Sequence, residues 1–448
     1  MSKLIISVSG LRGVVGETLT PDVACRFVAS FAASVPPGPI VVGRDGRTTG
    51  PMLGAAIMAA LNACGRDVID AGVAATPTIG VMVRERSAAG AVQISASHNP
   101  PPYNGIKLFG MSGRVLDAES GAKIRDGYLN GTAAWCAFDA IGSTTRDADP
   151  HAGHLEKVLA TIDVDLVREK AFHVLIDSNH GAGGILGKRL LDSLGCVVEA
   201  VGEEPTGLFA HVPEPTADNL TEIASRVAGS ECAIGFCQDP DADRLALIDE
   251  NGRYIGEEAT LALCVTRAMM VGRTSGPIVI NGATSSMSGL VAAQHGVKTL
   301  RSAVGEANVA DMMIANEASY GGEGNGGPID PTVGYVRDSF VGMAQVLDLM
   351  ARTGKPLSQL ADELPQLAIH KDKAEISVEQ LPAIFERLQE YFRDAEVQTG
   401  DGLRLQWDDR WLLVRGSNTE PMVRMIAEAE TVAKAKSLCD TAAGLLNP

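Results

Sequence analysis

PIVVGRDGRTTG (39–50), HVLIDSNHGAGG (173–184) and PIVINGATSSMSG (277–289) are three versions of one pattern. Each starts as a short β-branched strand, turns through Gly, Ser or Asn, and runs on as a helix. The helical runs stop at Gly65, Gly195 and Gly296, and further strands follow over 65–72, 195–202 and 296–305. Glycine ends helices because it tolerates the left-handed conformation that the stop requires. A third strand follows in every copy and closes on an unusual loop: AVQISASHNP (91–100), CAIGFCQDPDAD (232–243) and EASYGGEGNGG (317–327). Strands alternating with helices at this spacing predict α/β layers. Three such layers with matched loops predict three domains that point those loops into one cleft. The end of the chain differs. KAEISVEQLPAIFERLQEYF (373–392), GLRLQWDDRWLLVRG (402–416), VRMIAEA (423–429) and a helix from Thr431 read as a small α+β unit, after a polar junction at 351–365. The expected architecture is α/β: three related domains (1–150, 151–252 and 253–365) plus a C-terminal α+β domain (366–448) around a central cleft.

With 448 residues, the chain is long enough for three or four domains. A hydrophobic content of 45% with 21% charged residues excludes a disordered or fibrous chain. The net charge of −17 argues against nucleic-acid binding, which needs a basic face. A small anionic ligand can still be held by a few local Arg and Lys residues. The opening MSKLIISVSG lacks a secretory h-region, and no apolar run reaches the length of a membrane span, so a cytoplasmic, membrane-free protein is expected. The eight Cys are scattered and read as buried free thiols. His151 and His154 share helical spacing and read as a surface pair rather than metal ligands.

Four loops carry chemistry. In Ser95-Ala-Ser97-His98-Asn99, three prolines follow and stiffen an exposed polar turn, where a serine can act as nucleophile with His98 or Lys107 handling protons. No Gly-x-Ser-x-Gly elbow surrounds it, which excludes the usual hydrolase arrangement. Asp239-Pro-Asp241-Ala-Asp243-Arg244 brings three carboxylates together after an apolar strand, and Mg²⁺ is the simplest cation to relieve their repulsion. A calcium loop counted from Asp239 fails, because Arg244 stands where such a loop needs Gly. Glycines around Glu323 and Asn325 allow close backbone approach, while the carboxylate and amide suit sugar hydroxyls. Arg415, Ser417, Asn418, Thr419 and then Arg424 offer a guanidinium fork, hydroxyls and turn amides to a phosphate. The turn at 178–184 imitates a dinucleotide fingerprint, but its third Gly is displaced by Leu186, so NAD is not expected.

SASHNPPPYNGIK (95–107), DPDADR (239–244), GGEGNGG (321–327) and RGSNTEP (415–421) together resemble the four signature loops of the α-D-phosphohexomutase family. SGLRGVVGETLTPD (9–22) resembles its N-terminal segment, with Arg12 matching an active-site arginine. The resemblance spans essentially the whole chain. It implies four domains around a deep cleft and an isomerase that moves a phosphoryl group between O6 and O1 of a hexose. Ser97 matches the phosphoserine, and Mg²⁺ would be held by that phosphate with Asp239, Asp241 and Asp243. Arg12, Arg244, His98 and Lys107 match residues around the transferring group, with His98 and Lys107 as the candidate proton shuttles. Arg415, Ser417, Asn418, Thr419 and Arg424 match the clamp on the non-reacting phosphate, and Glu323 and Asn325 lie in the sugar loop. A hexose 1,6-bisphosphate is implied as intermediate and activator, and a homodimer is left open.

The sequence departs from the family at the sugar loop, where Asn325 and Gly327 replace Ser and His, and at Glu306, where phosphomannomutases tend to have His. On this reading the chain is most like the phosphoglucosamine mutase branch. Glu306 and Glu323 would offer two carboxylates to a 2-ammonium group. The alternative is a phosphomannomutase/phosphoglucomutase. A sugar phosphatase using Asp239 lacks the Gly-Thr usual after Asp-x-Asp, and a non-catalytic sensor has no need of Ser97.

Overall fold

A computed structural model describes residues 4–7, 10–416 and 422–446, and in it the three copies share one strand order. Strands β1 (Ile5–Ser7), β2 (Gly10–Val14), β3 (Ile40–Arg44), β4 (Val68–Val73), β5 (Gly90–Ile94), β6 (Tyr103–Gly110) and β7 (Thr144–Arg146) form the first sheet, ordered β1-β2-β6-β5-β3-β4-β7. The second holds β8 (His173–Asp177), β9 (Val197–Val201), β10 (Ile234–Gln238) and β11 (Leu245–Asp249), ordered β11-β10-β8-β9. The third holds β12 (Ile278–Asn281), β13 (Thr299–Ser302), β14 (Tyr320–Glu323) and β15 (Gly327–Ile329), ordered β13-β12-β14-β15. In every copy the first strand of the repeat (β3, β8, β12) runs parallel between the other two. The third (β5, β10, β14) then turns back into an antiparallel partner. The chemically unusual loops are those turns. They lie at the carboxyl ends of parallel strands, where open α/β sheets bind ligands.

Local chemistry explains the repeat. Every residue of β5, β10 and β12 is buried, as expected for strands covered on both faces. The helical runs end at Gly65, Gly195 and Gly296 with φ of +75°, +69° and +72°, values a side chain would strain. The fourth domain is antiparallel. Strands β16 (Ala368–Ala374), β17 (Glu396–Gly400), β18 (Gly402–Gln406), β19 (Trp411–Gly416) and β20 (Val423–Ala429) are ordered β16-β20-β19-β18-β17. Helices Leu381–Tyr391 and Val432–Gly444 accompany them, the second capped by the Thr431 hydroxyl.

The cores are less separate than the repeat suggests. The first and fourth domains each have their own, but the second and third share one hydrophobic cluster. Helix Ser339–Thr353 runs through it, with Ser339 to Ala351 all buried. Such a helix is largely apolar because no face meets water, and its buried Gln345 and Asp348 accept hydrogen bonds from Tyr320 and Arg267. The junction at 351–365 is docked rather than slack: Leu357 is buried and Asp362 pairs with Arg253 at 2.7 Å.

Two expectations are corrected. His151 and His154 are buried, not surface residues. His154 is 0% exposed, because Thr78 (2.9 Å to Nδ1) and Asp338 (2.7 Å to Nε2) satisfy both ring nitrogens. All eight Cys are free, but only Cys232, Cys237, Cys264 and Cys439 are fully buried. No helix among the described residues is long and apolar enough to cross a membrane.

Candidate active site

Ser97 stands at the turn between β5 and β6 with φ +49°, a left-handed conformation costing a non-glycine residue about 1–3 kcal/mol. Arg47 holds it there. Its Nη2 donates to the carbonyls of Ser97 and Asn99, both at 2.6 Å. Its Nη1 donates to those of Pro100 (3.0 Å) and Tyr103 (2.9 Å). Asp45 binds Arg47 Nε at 3.1 Å and accepts the Ser95 hydroxyl at 2.7 Å, and that hydroxyl accepts from Ser97 N at 2.9 Å. Burial lifts the Asp45 carboxyl to about 6 despite Arg47. The GRDGR turn that opens the repeat is thus the support of the serine loop, a role sequence reasoning missed. Its signal was three charges, Arg44, Asp45 and Arg47, in the Gly-rich turn that follows an apolar strand.

The Ser97 side chain faces the second domain. Its Oγ donates to Asp239 Oδ2 at 2.7 Å and lies 3.3 Å from His98 Nδ1. Burial, Arg244 and Arg12 together push His98 down to about 2, so its ring is neutral and a weak base. Arg12 Nη1 donates to Asn99 Oδ1 at 2.5 Å. Arg244 lies 4.0 Å from Asp243 and 3.9 Å from Glu214, and Glu214 is also 3.8 Å from His98.

Asp239, Asp241 and Asp243 are all 0% exposed, and oxygens from the three lie within 4.8 Å of one another. Asp239 Oδ1 accepts from the backbone of Asp243 and Arg244, both at 3.2 Å. Lys107 Nζ donates to Asp241 Oδ2 at 2.6 Å and to Asp243 Oδ2 at 2.9 Å. Thr76, unremarked in the sequence, adds its hydroxyl to Asp241 at 2.5 Å and its N–H to the Asp241 carbonyl at 2.9 Å. Burial and the neighbouring carboxylates push Asp239 well above the usual range. Burial acts the same way on Asp241, but Lys107 outweighs it and holds that carboxyl below the usual range. Burial likewise opposes the charge on Lys107, yet Asp241 and Asp243 raise its pKa. Asp241 Oδ1 and Asp243 Oδ1 are buried without a hydrogen-bond partner among the described residues. Two orphaned anionic oxygens beside a third carboxylate are a donor set that fits a hard divalent cation.

The sugar loop meets the same cluster through Arg337, a residue the sequence reading did not single out. Glu323 Oε1 accepts from Asn281 at 2.7 Å and from Gly305 N at 3.2 Å, while Oε2 faces Arg337 Nη1 at 3.1 Å. Asn325 donates to Glu323 at 3.4 Å, and its own Oδ1 is buried without a partner among the described residues. Glu306 accepts from Arg337 N at 2.7 Å and lies 3.7 Å from its Nε. Burial raises the Glu306 carboxyl. Glu306 and Glu323 therefore do not face an ammonium as unpaired carboxylates, because Arg337 already stands beside both.

The fourth domain reaches the site through Asp401, which binds Arg415 at 2.9 Å and accepts from Val304 N at 2.7 Å. Arg415 is buried, whereas Arg424, its cross-strand partner, is exposed. Ser417, Asn418 and Thr419 lie outside the described residues.

Comparison with known proteins covers the whole arrangement. Residues 3–134, 152–252 and 257–368 match the family models for phosphoglucomutase/phosphomannomutase alpha/beta/alpha domains I, II and III, and 368–445 match the C-terminal domain. A phosphoglucomutase/phosphomannomutase of Thermococcus kodakarensis is 35% identical over 98% of this chain and 97% of its own. A probable phosphoglucosamine mutase of Methanopyrus kandleri is 33% identical over 96% of this chain and 95% of its own. The crystal structure of a phosphoglucomutase/phosphomannomutase family protein from Burkholderia thailandensis superposes with a TM-score of 0.88 at 26% identity, covering 99% and 98% of the two chains.

Proposed function

The chain belongs to the phosphoglucomutase/phosphomannomutase family, matched in all four domains, and on that premise we propose that it interconverts hexose 6-phosphate and hexose 1-phosphate through a phosphoryl group carried on Ser97. The observation that carries this reading is the Ser97 hydroxyl bonded to Asp239 beside two buried, unpartnered carboxylate oxygens. Phosphoserine adds about −1.5 to −2 charge, which the three carboxylates alone would repel. Asp239, Asp241 and Asp243 with the serine phosphate would hold Mg²⁺. When bound, that ion neutralises charge on the transferring group, the main requirement of phosphoryl transfer.

The phosphoryl group leaves Ser97 Oγ as the P–O bond to a free sugar hydroxyl forms, giving a hexose 1,6-bisphosphate. The hydroxyl proton passes to the protein, and Ser97 Oγ is reprotonated. His98, 3.3 Å from that oxygen, lies within reach of its proton. Lys107, held charged by two aspartates, keeps its own proton and offers positive charge. After the bisphosphate turns over, the other phosphate returns to Ser97. Arg12 and Arg244 face the transferring group, and Arg415, Ser417, Asn418, Thr419 and Arg424 clamp the phosphate that does not react. Glu323 and the open acceptor Asn325 Oδ1 contact the sugar.

Glucosamine 6-phosphate is the preferred substrate in this reading, supported by the probable phosphoglucosamine mutases among the similar proteins. The equally long match named phosphoglucomutase/phosphomannomutase, and the pairing of Glu306 with Arg337, favour glucose and mannose phosphates as the second reading. The reaction belongs in the cytoplasm, where such sugar phosphates are kept. A coupled mutase assay over glucosamine, glucose, mannose and N-acetylglucosamine phosphates decides between the two. A higher kcat/KM for glucosamine 6-phosphate supports the first, and preference for glucose or mannose phosphate overturns it. Release of inorganic phosphate without isomerised product would overturn the mutase itself.

A further inference from the structure

Arg337, Asp338 and Ser339 lead into the buried helix of the third domain, and each binds a residue of the second domain. Arg337 Nη2 binds Asp243 Oδ2 at 2.7 Å in the carboxylate loop, while Nη1 binds Glu323 at 3.1 Å in the sugar loop. Asp338 Oδ2 accepts His154 Nε2 at 2.7 Å, and Asp338 Oδ1 caps the helix through Phe340 N at 2.9 Å. His154 Nδ1 meets the Thr78 hydroxyl at 2.9 Å, so first, second and third domains converge on this pair. Ser339 donates to the carbonyl of Ala242 at 2.7 Å, and Ala242 is the left-handed residue (φ +54°) between Asp241 and Asp243.

We propose that Arg337 is a positioning residue that couples the carboxylate loop to the sugar loop, its aim fixed by His154 through Asp338. A guanidinium is a rigid fork that can hold two carboxylates at once, which a Lys ammonium on a flexible stem does not reproduce. Glu323 draws part of that positive charge away from Asp243. Without Glu323, Arg337 has only Asp243 and the more distant Glu306 to bear on, and it competes more strongly with a cation for Asp243. The loop that would contact the sugar therefore sets how strongly the carboxylate loop takes a metal, and by reciprocity sugar contact and metal binding report on each other.

The inference rests on the metal reading above, and the test separates the two. Mg²⁺ is titrated calorimetrically into the full chain as wild type, Glu323→Gln, Arg337→Lys and the double variant. Expected is a loss of Mg²⁺ affinity of about five-fold or more on Glu323→Gln, in the usual range for coupled sites. That loss should fall below about two-fold when Arg337 is Lys. A simple long-range field from Glu323 would give equal losses in both backgrounds, and equal losses overturn the coupling. Arg337→Lys keeps a positive charge among the buried carboxylates, and His154→Gln leaves Arg337 in place while removing its aim. An undiminished Glu323→Gln effect in His154→Gln overturns the role of His154. No effect of Glu323→Gln on wild-type affinity overturns the coupling with the metal site intact. A wild type that takes up no Mg²⁺ overturns the metal reading and the coupling with it.

Discussion

Ser97 and Arg47 show what one residue can disclose and what it hides. Ser97 was legible because a Ser-His-Asn run followed by three prolines at a strand end is chemically odd. Its left-handed backbone was not, because nothing about a serine announces φ +49°. Arg47 was in plain view in the repeat, yet its four carbonyl partners lie fifty or more positions away. We predict that Arg47→Lys folds but loses about 100-fold in kcat, the order of loss a roughly 1 Å misplacement of a reacting group causes. Steady-state kinetics beside a thermal melt checks this. Unchanged kcat would mean that the loop holds its own shape.

At the scale of elements, the Gly stops and β-branched strands predicted all three sheets because their causes are local. The Gly-rich loop was read as space for a ligand, and packing supplies a further reason. A side chain at Gly324 would begin 2.0 Å from the Glu258 carboxylate. Glu258 opens helix Glu257–Met270 and accepts Ser285 N at 2.9 Å. Burial raises its carboxyl from 4.5 to about 8. Between those values the folded protein holds a proton that the unfolded chain has shed. That stability is fully present below pH 4.5 and is lost as pH rises through about 8. Glu258→Gln, neutral at every pH, should therefore melt progressively higher than wild type from pH 5 to 8.5. A constant difference across that range would show that Glu258 is ionised in the fold. Arg337 escaped notice for a related reason: a polar Arg-Asp-Ser before an apolar helix reads as a cap, and only the tertiary structure brings three carboxylates to it.

For the whole molecule, the repeat foretold three related units and a different fourth, but not that the second and third share a core. That fusion depends on helix Ser339–Thr353 being enclosed from both sides, which no local pattern specifies. The fourth domain joins through Asp401, which links Arg415 to Val304 beside the sugar loop. An Arg–phosphate bond contributes roughly 1.5–3 kcal/mol. Arg415→Ala should accordingly weaken substrate binding about 10- to 150-fold. Since either phosphate of a bisphosphate must fit there, forward and reverse reactions should suffer alike, and impairment in one direction only would contradict the clamp.

The account depends most on Ser97 as the phosphoryl carrier. The chain, its Ser97 hydroxyl first freed by phosphatase treatment, is mixed with hexose 1,6-bisphosphate bearing labelled phosphate, quenched within one turnover, and mapped by peptide mass spectrometry. The account predicts label on Ser97, appearing as fast as the mutase turns over and absent from an otherwise folded Ser97→Ala variant. Label on Ser95, or full turnover with none on Ser97, would contradict it.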